Sequence, residues 1–187
     1  MADKKPILTA PPSLIGDKVY LRPMTAEDVA NTHHWFIMSE PQLQSCRPHA
    51  IVTAGTASEA FKKLEPATDR ERFMIVRRSD NVPVGRIQYF DFNWLNRSAE
   101  FGVIVDPDER GKGYGSEAVR TMCRYLFRTR GLNKVHAQTA SFNEPAIKLL
   151  ESIGFKKDGT LRQHYFADRE FHDGLVYSLL AFEADKL

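Results

Sequence analysis

Only two cysteines, Cys46 and Cys123, occur in the 187 residues. They are too few and too far apart for a disulfide framework, so both read as reduced thiols. No apolar run approaches the ~18 residues that a membrane span requires. The opening segment, MADKKPILTAPPS, has no apolar h-region, which excludes a secretory signal and gives a cytoplasmic reading. Six histidines are present, yet no H-E-x-x-H or C-x-x-C spacing occurs, so no metal site is expected. Charge of one sign is lacking too: 26 Lys and Arg stand against 24 Asp and Glu, a net charge of +2. Nothing in that balance points to nucleic acid or a membrane surface. The densest basic stretches, Arg70–Arg78 and Arg120–Arg130, read as solvated faces.

What is there suits a soluble globular protein: 42% hydrophobic and 27% charged residues, at a length of about one domain. Residues 1–16, with Pro6, Pro11 and Pro12, read as an extended leader, and 17–187 as a single domain. Val19 to Pro23 is a short strand. Thr25 has the character of an N-cap with Asp28 as its capping-box partner, opening a helix to about Met38. A second helical stretch is expected over Ser58–Glu65. Strands then follow at Phe73–Arg77, Val84–Phe92 and Ser98–Val105, separated by turn residues, as an antiparallel meander.

The most telling stretch is Phe101 to Gly115, FGVIVDPDERGKGYG. A mostly apolar strand runs into Asp106-Pro107 and a loop with three glycines at alternate positions, and a helix opens directly afterwards. Such a turn presents backbone N–H donors in a concave array that suits a phosphate or pyrophosphate. It is not a Walker A loop, because no Ser or Thr follows Lys112 and no glycine stands five residues before it. Nor is it a dinucleotide fingerprint, since Ser116 stands where a third glycine is needed. What remains is Arg110-Gly111-Lys112-Gly113-Tyr114-Gly115.

Beyond the turn, Val119, Met122, Cys123, Leu126 and Phe127 recur at helical spacing, with Gly131 placed to end the helix. Cys123 falls on its apolar side, as a packed thiol. A strand over Lys134–Ala140, a helix over Asn143–Ile153 stopped by Gly154, and strands at Phe155–Leu161 and Leu175–Phe182 complete the chain. The class is α+β, with a β-α-β-α-β section in the second half.

Strand, Asp-Pro, R-G-x-G-x-G and helix together resemble the acetyl-CoA pyrophosphate motif of the GNAT acetyltransferase superfamily. Asn143 to Phe155, an Asn opening a helix that ends in Gly-Phe, is similar to the family's second motif. Val19–Pro23 and Asp173–Leu180 resemble the ribosomal-protein N-terminal acetyltransferase (Rim-type) branch. The resemblance implies a twisted, mostly antiparallel sheet of about seven strands, splayed between the fourth and fifth and flanked by about four helices. It implies acetyl-CoA as co-substrate, with no metal. Backbone groups of Val103 and Val105 would pair with its pantetheine arm. Amides from Arg110, Gly111, Lys112, Gly113, Tyr114 and Gly115, with Ser116, would hold the pyrophosphate. Asn143 would reach the pantetheine, unless it is an N-cap alone, and Lys148 would lie near the adenosine end, unless it is simply solvated.

The implied reaction is direct attack of a primary amine on the thioester in a ternary complex. At pH 7, freeing a lysine-like amine of its proton costs about 4.6 kcal/mol, against about 1–1.4 kcal/mol for an α-amine. Glu100, ahead of the glycine turn, is either the base for that step or a structural glutamate at a strand start. The Val103 N–H is the candidate oxyanion donor. Many relatives carry a tyrosine as general acid where this chain has Leu150, leaving Tyr165 and Tyr177 as substitutes, or no acid at all. The acceptor groove is expected over Trp35–Arg47 and Arg162–His172, with Trp35, Phe36 and Trp94 as possible lining. The mixed polarity favours a protein or peptide N-terminal α-amine as the acceptor. A small amine (polyamine, antibiotic or amino-sugar) and a non-catalytic acyl-CoA-binding module are the alternatives, and the oligomeric state is not encoded legibly.

Overall fold

Seven strands form one mixed sheet. The computed structural model describes residues 10–38, 51–65 and 67–186. Its strands are β1 (Val19–Pro23), β2 (Glu71–Arg77), β3 (Pro83–Asn93), β4 (Ser98–Val105), β5 (Lys134–Ala140), β6 (Lys156–Ala167) and β7 (Glu170–Leu180). They lie in the order β1-β2-β3-β4-β5-β7-β6. Every pairing is antiparallel except β4 with β5. Among the described residues the helices are α1 (Ala26–Asn31), α2 (His33–Met38), α3 (Ala54–Lys62), α4 (Tyr114–Arg128) and α5 (Glu144–Ile153). That is one more than the expected four.

The period of two divides the sheet into two faces. On one face Leu21, Phe73, Ile75, Ile87, Tyr89, Ala99 and Phe101 pack with Val119, Met122 and Leu126 of α4 and with Leu150 and Ile153 of α5. Cys123 is buried in that layer, and desolvation pushes its thiol up to about 12. On the other face Tyr20, Met74 and Val76 pack against Trp35 of α2. The Glu117 carboxylate accepts from the Lys18 amide at 2.6 Å. That bond ties the first turn of α4 to the start of β1 and so fixes where the helix begins over the sheet.

Four boundaries differ from the expectations. The N-terminal helix keeps its capping box: the Asp28 amide donates to Thr25 Oγ1 at 3.2 Å, and the Thr25 amide donates to Asp28 at 2.8 Å. It breaks at Thr32, however, whose backbone leaves the helical region and whose hydroxyl donates to the Asp28 carbonyl at 2.7 Å. The second helix starts earlier, at Ala54, because Thr53 caps it through Oγ1. The last two strands are longer than expected. The polar run 162–173 continues them as an exposed hairpin, turned at Asp168 and Arg169 with φ 50° and 68°. Finally, the leader's end is not merely extended: Pro12–Leu14 forms a 3₁₀ turn that buries Leu14.

Candidate active site

β4 and β5 pair over only three rungs, Ser98↔Lys134, Ala99↔Val135 and Glu100↔His136. Past Glu100, β4 keeps its ladder to β3 as far as Val105, while its other edge stands open toward β5. The direction of that edge follows from alternation. The Asp106 amide donates to the Val84 carbonyl on the β3 side at 3.0 Å, and the Arg97 carbonyl accepts from Asn133 and Lys134 on the β5 side. Stepping by two, the backbone groups of Phe101, Val103 and Val105 therefore face the opening. Arg110 Nε, 3.4 Å from the Val105 carbonyl, approaches from that same side.

The glycine turn closes one end of this opening. Asp106 accepts from the Asp108 amide at 3.1 Å and starts the 3₁₀ turn Pro107–Glu109. Gly111 and Gly113 have φ of 76° and 86°, values that favour glycine, and Gly113 is the N-cap of α4. No side chain caps that helix, and among the described residues none accepts from the amides of Gly111 to Ser116. The turn therefore aims a set of N–H groups and a helix N-terminus at one point, an arrangement that fits a pyrophosphate. Gly115 answers a different need: a Cβ there would come within 3.1 Å of Val105 Cγ2 and 3.3 Å of Leu149 Cδ1. Lys112 is drawn back to Glu109, with Nζ 2.8 Å from Oε2. Lys112 and Arg77 together hold the Glu109 carboxyl below the usual range. Tyr114 packs against the core with the Arg77 guanidinium 6.0 Å over its ring.

Asn143 caps α5, accepting from the Ala146 amide at 3.4 Å, and also lines the opening, so both of its readings are compatible. Lys148 is exposed and pairs with Glu144 at 3.1 Å, outside the cavity. Leu150, with Ala146 and Leu149, gives the α5 side an apolar wall. Neither proposed substitute acid lines the cavity. Tyr177 is buried and donates to Glu151 at 3.0 Å, and Tyr165 sits on the hairpin opposite His172. Burial, and then the Glu151 bond, push the Tyr177 phenol up.

The opening leads into a cavity of about 500 Å³ that passes between β4 and β5 to the other face of the sheet. There Glu100, Gln88, Arg86 and Arg72 line it, under Val29 of α1 and Phe61 of α3. Glu100 is 8% exposed, at the base of the split. Thr139 Oγ1 also lines the cavity, buried and without a hydrogen-bond partner among the described residues. Arg72, Arg86 and Gln88 were not expected here. They left a signal, since they interrupt apolar strands at alternate positions.

Only the second stretch of the expected acceptor groove, Arg162–His172, is corrected by this geometry. Residues 39–50, which include Cys46 and most of Trp35–Arg47, lie outside the described residues. The 162–172 stretch lies on the hairpin, away from the cavity. Trp35 is buried against Tyr20 and Met74, and Trp94 is exposed beside Phe92 and Arg130. Nothing is assigned to the Phe36 side chain, which is also outside the description. Among the described residues no group of three or more His, Cys, Asp or Glu is arranged to hold a metal, and no helix is long and apolar enough to cross a membrane.

Residues 18–156 match the family described as the acetyltransferase (GNAT) domain. The chain belongs to the GNAT acetyltransferases. Among curated relatives it is 35% identical over 111 residues to an uncharacterized N-acetyltransferase, YokL, of Bacillus subtilis, a match to 59% of this chain and 62% of that protein. It is 28% identical over 121 residues to the spermidine N(1)-acetyltransferase of Vibrio cholerae, covering 62% of this chain and 70% of that one. The fold is that of the spermidine N-acetyltransferase from Vibrio cholerae solved with CoA and spermine. The two superpose with a TM-score of 0.81 at 22% identity, over 89% of this chain and 98% of the other. The expected ribosomal-protein branch is thereby corrected to the family alone, because these relatives are named for small-amine transfer or left uncharacterized. They lend no support to a protein N-terminus as acceptor.

Proposed function

We propose that this GNAT protein moves the acetyl group of acetyl-CoA to the primary amine of a small molecule. The observation that carries the reading is the split after Glu100 and His136. It turns the Val103 and Val105 backbone toward an opening that has an uncapped glycine turn at one end and a through-sheet cavity at the other. Relatives named as spermidine acetyltransferases support a small acceptor over a peptide.

Acetyl-CoA supplies an acyl group already activated as a thioester. In this reading the amides of Gly111 to Ser116, together with Arg110, hold its pyrophosphate. Val103 and Val105 extend the sheet by pairing with the pantetheine arm, and Asn143 steadies that arm from α5. The Val103 N–H stabilises the oxyanion as the amine attacks the carbonyl. Glu100 takes the ammonium proton from the acceptor side, and the new C–N bond replaces the C–S bond. A thiol of pKa ~8.5 leaves without a strong acid, which accounts for apolar Leu150 where relatives carry a tyrosine.

The test follows free thiol on mixing acetyl-CoA with primary amines and with peptides bearing free N-termini, alongside a thermal-shift titration with acetyl-CoA. Small-amine turnover and stabilisation of about 2.7 kcal/mol at 100 times the dissociation constant are expected. Stabilisation with no turnover on any amine would leave only a binding module. Turnover on peptides alone would restore the protein acceptor.

A further inference from the structure

We propose that the acceptor is a primary amine with an apolar alkyl or aryl body and no second charge, seated against the apolar stripe of α3, and that polyamines are poor substrates of this chain. This rests on the acetyl-transfer reading and names the substrate class of the same site.

Ala57, Ala60 and Phe61 recur at i, i+3 and i+4 along α3, which puts them on one side of the helix. Leu64 follows just past the helix end, its amide donating to the Phe61 carbonyl at 3.1 Å. All four line the cavity. The apolar stripe of a surface helix ordinarily packs into the core. Here none of the four belongs to either buried cluster or packs against one, and Leu64 is 50% exposed. Ser58 holds the helix in this attitude. Its hydroxyl donates to the Ala26 carbonyl at 2.8 Å, which ties the flank of α3 to α1 and leaves the stripe to the cavity. The charged residues Glu59 and Lys62 lie off the stripe and pair with each other at 2.7 Å in solvent. Met24 and Val29 extend the same apolar wall.

The stripe decides what can stand behind the reacting nitrogen. Apolar surface that α3 keeps out of the core is covered when a hydrocarbon body docks on it, and each buried methylene strengthens binding about fourfold. A second ammonium group, farther along the same molecule, would trade its water for that wall. No second acid stands there to receive it, Glu100 being the only acid among the described lining residues. Asp28 of α1 is committed to Arg22, accepting from both Nη atoms at 2.6 and 2.7 Å. Arg72 of β2 lines the same cavity, and it is a like charge that a second ammonium would have to approach. Burial, and then Arg70, hold the Arg72 guanidinium below its ordinary value, so another cation beside it is disfavoured further. An alkyl or aryl body meets none of these costs.

Four amines test this: butylamine, hexylamine, 1,6-diaminohexane and spermidine. Each is titrated calorimetrically into the CoA-loaded protein and assayed separately for thiol release from acetyl-CoA. Hexylamine should bind about tenfold or more tightly than butylamine, the increment of two methylenes. It should also bind about tenfold or more tightly than the diamine of equal length. Phe61→Ala should flatten the increment between the two alkylamines, which a loss of stability alone would not do. Ala60→Asp, at an exposed position on the stripe, should narrow the gap between hexylamine and the diamine, and it serves if Phe61→Ala does not fold. If chain length brings no gain, or if the diamine or spermidine binds the unsubstituted protein as well as hexylamine does, the apolar acceptor site is wrong, whatever is acetylated. If hexylamine binds best and no amine releases thiol, the apolar site stands and the transfer reading falls.

Discussion

Glu100 Oε2 lies 3.8 Å from His136 Nε2, on the last rung before β4 and β5 part. That distance exceeds a hydrogen bond. Burial first, and then Lys134, hold the His136 imidazole below its ordinary value, outweighing Asp91 and Asp158. At neutral pH the ring is therefore uncharged, so the contact is not an ion pair there. Glu100→Gln should lower kcat for an aliphatic amine about a hundredfold or more, while acetyl-CoA still binds. An α-amine of lower pKa should suffer much less. Equal slowing of both acceptors in stopped-time assays would take the base role from Glu100.

Two glycines two residues apart should fail differently. Gly113, at φ 86°, gives α4 its uncapped start. Valine there carries roughly 1–3 kcal/mol of backbone strain, which the turn relieves by re-aiming its amides. Gly113→Val should abolish the thermal shift produced by acetyl-CoA while far-UV circular dichroism is unchanged. Gly115→Ala presses on Val105 and Leu149 instead. It should cost about 1 kcal/mol or more in urea unfolding. Undiminished coenzyme affinity in Gly113→Val would count against the pyrophosphate assignment.

The legible parts of the sequence were those whose chemistry is local. Three alternating glycines at a helix start, Asn143 opening α5 and the Thr25–Asp28 box each depend on neighbours within a few residues. The walls of the cavity depend on strand register, which only the assembled sheet supplies. Arg72, Arg86 and Gln88 are conspicuous as polar residues inside apolar strands. Nothing local says that they share a face with Glu100, three strands having to align before they do. The hairpin at 162–173 was missed for the opposite reason. Most of its residues are exposed on both faces, Ala167 being the buried exception, so no apolar alternation marks them as strand.

Tyr177 offers a clean control on leaving-group chemistry. Its hydroxyl donates to Glu151 and lies outside the cavity lining. Tyr177→Phe should cost about 1 kcal/mol of stability through the lost bond. It should leave kcat within about twofold, because the thiolate needs no phenol. A large loss of kcat, with KM and stability near normal, would make Tyr177 the missing acid.

His136 also gives the fold a pH dependence of known sign. In the unfolded chain its ring takes up a proton near 6.5. In the fold it does so only at lower pH, because burial and Lys134 disfavour the cation. Below about 6.5 the unfolded state therefore binds more protons, so this group's contribution is intact above that pH and declines as pH falls toward the folded value. Urea midpoints measured from pH 7.5 down to 5 should drop less steeply in His136→Asn than in the unsubstituted protein. Parallel curves would mean that the imidazole titrates alike in both states, and that the base of the split is wetter than its geometry implies.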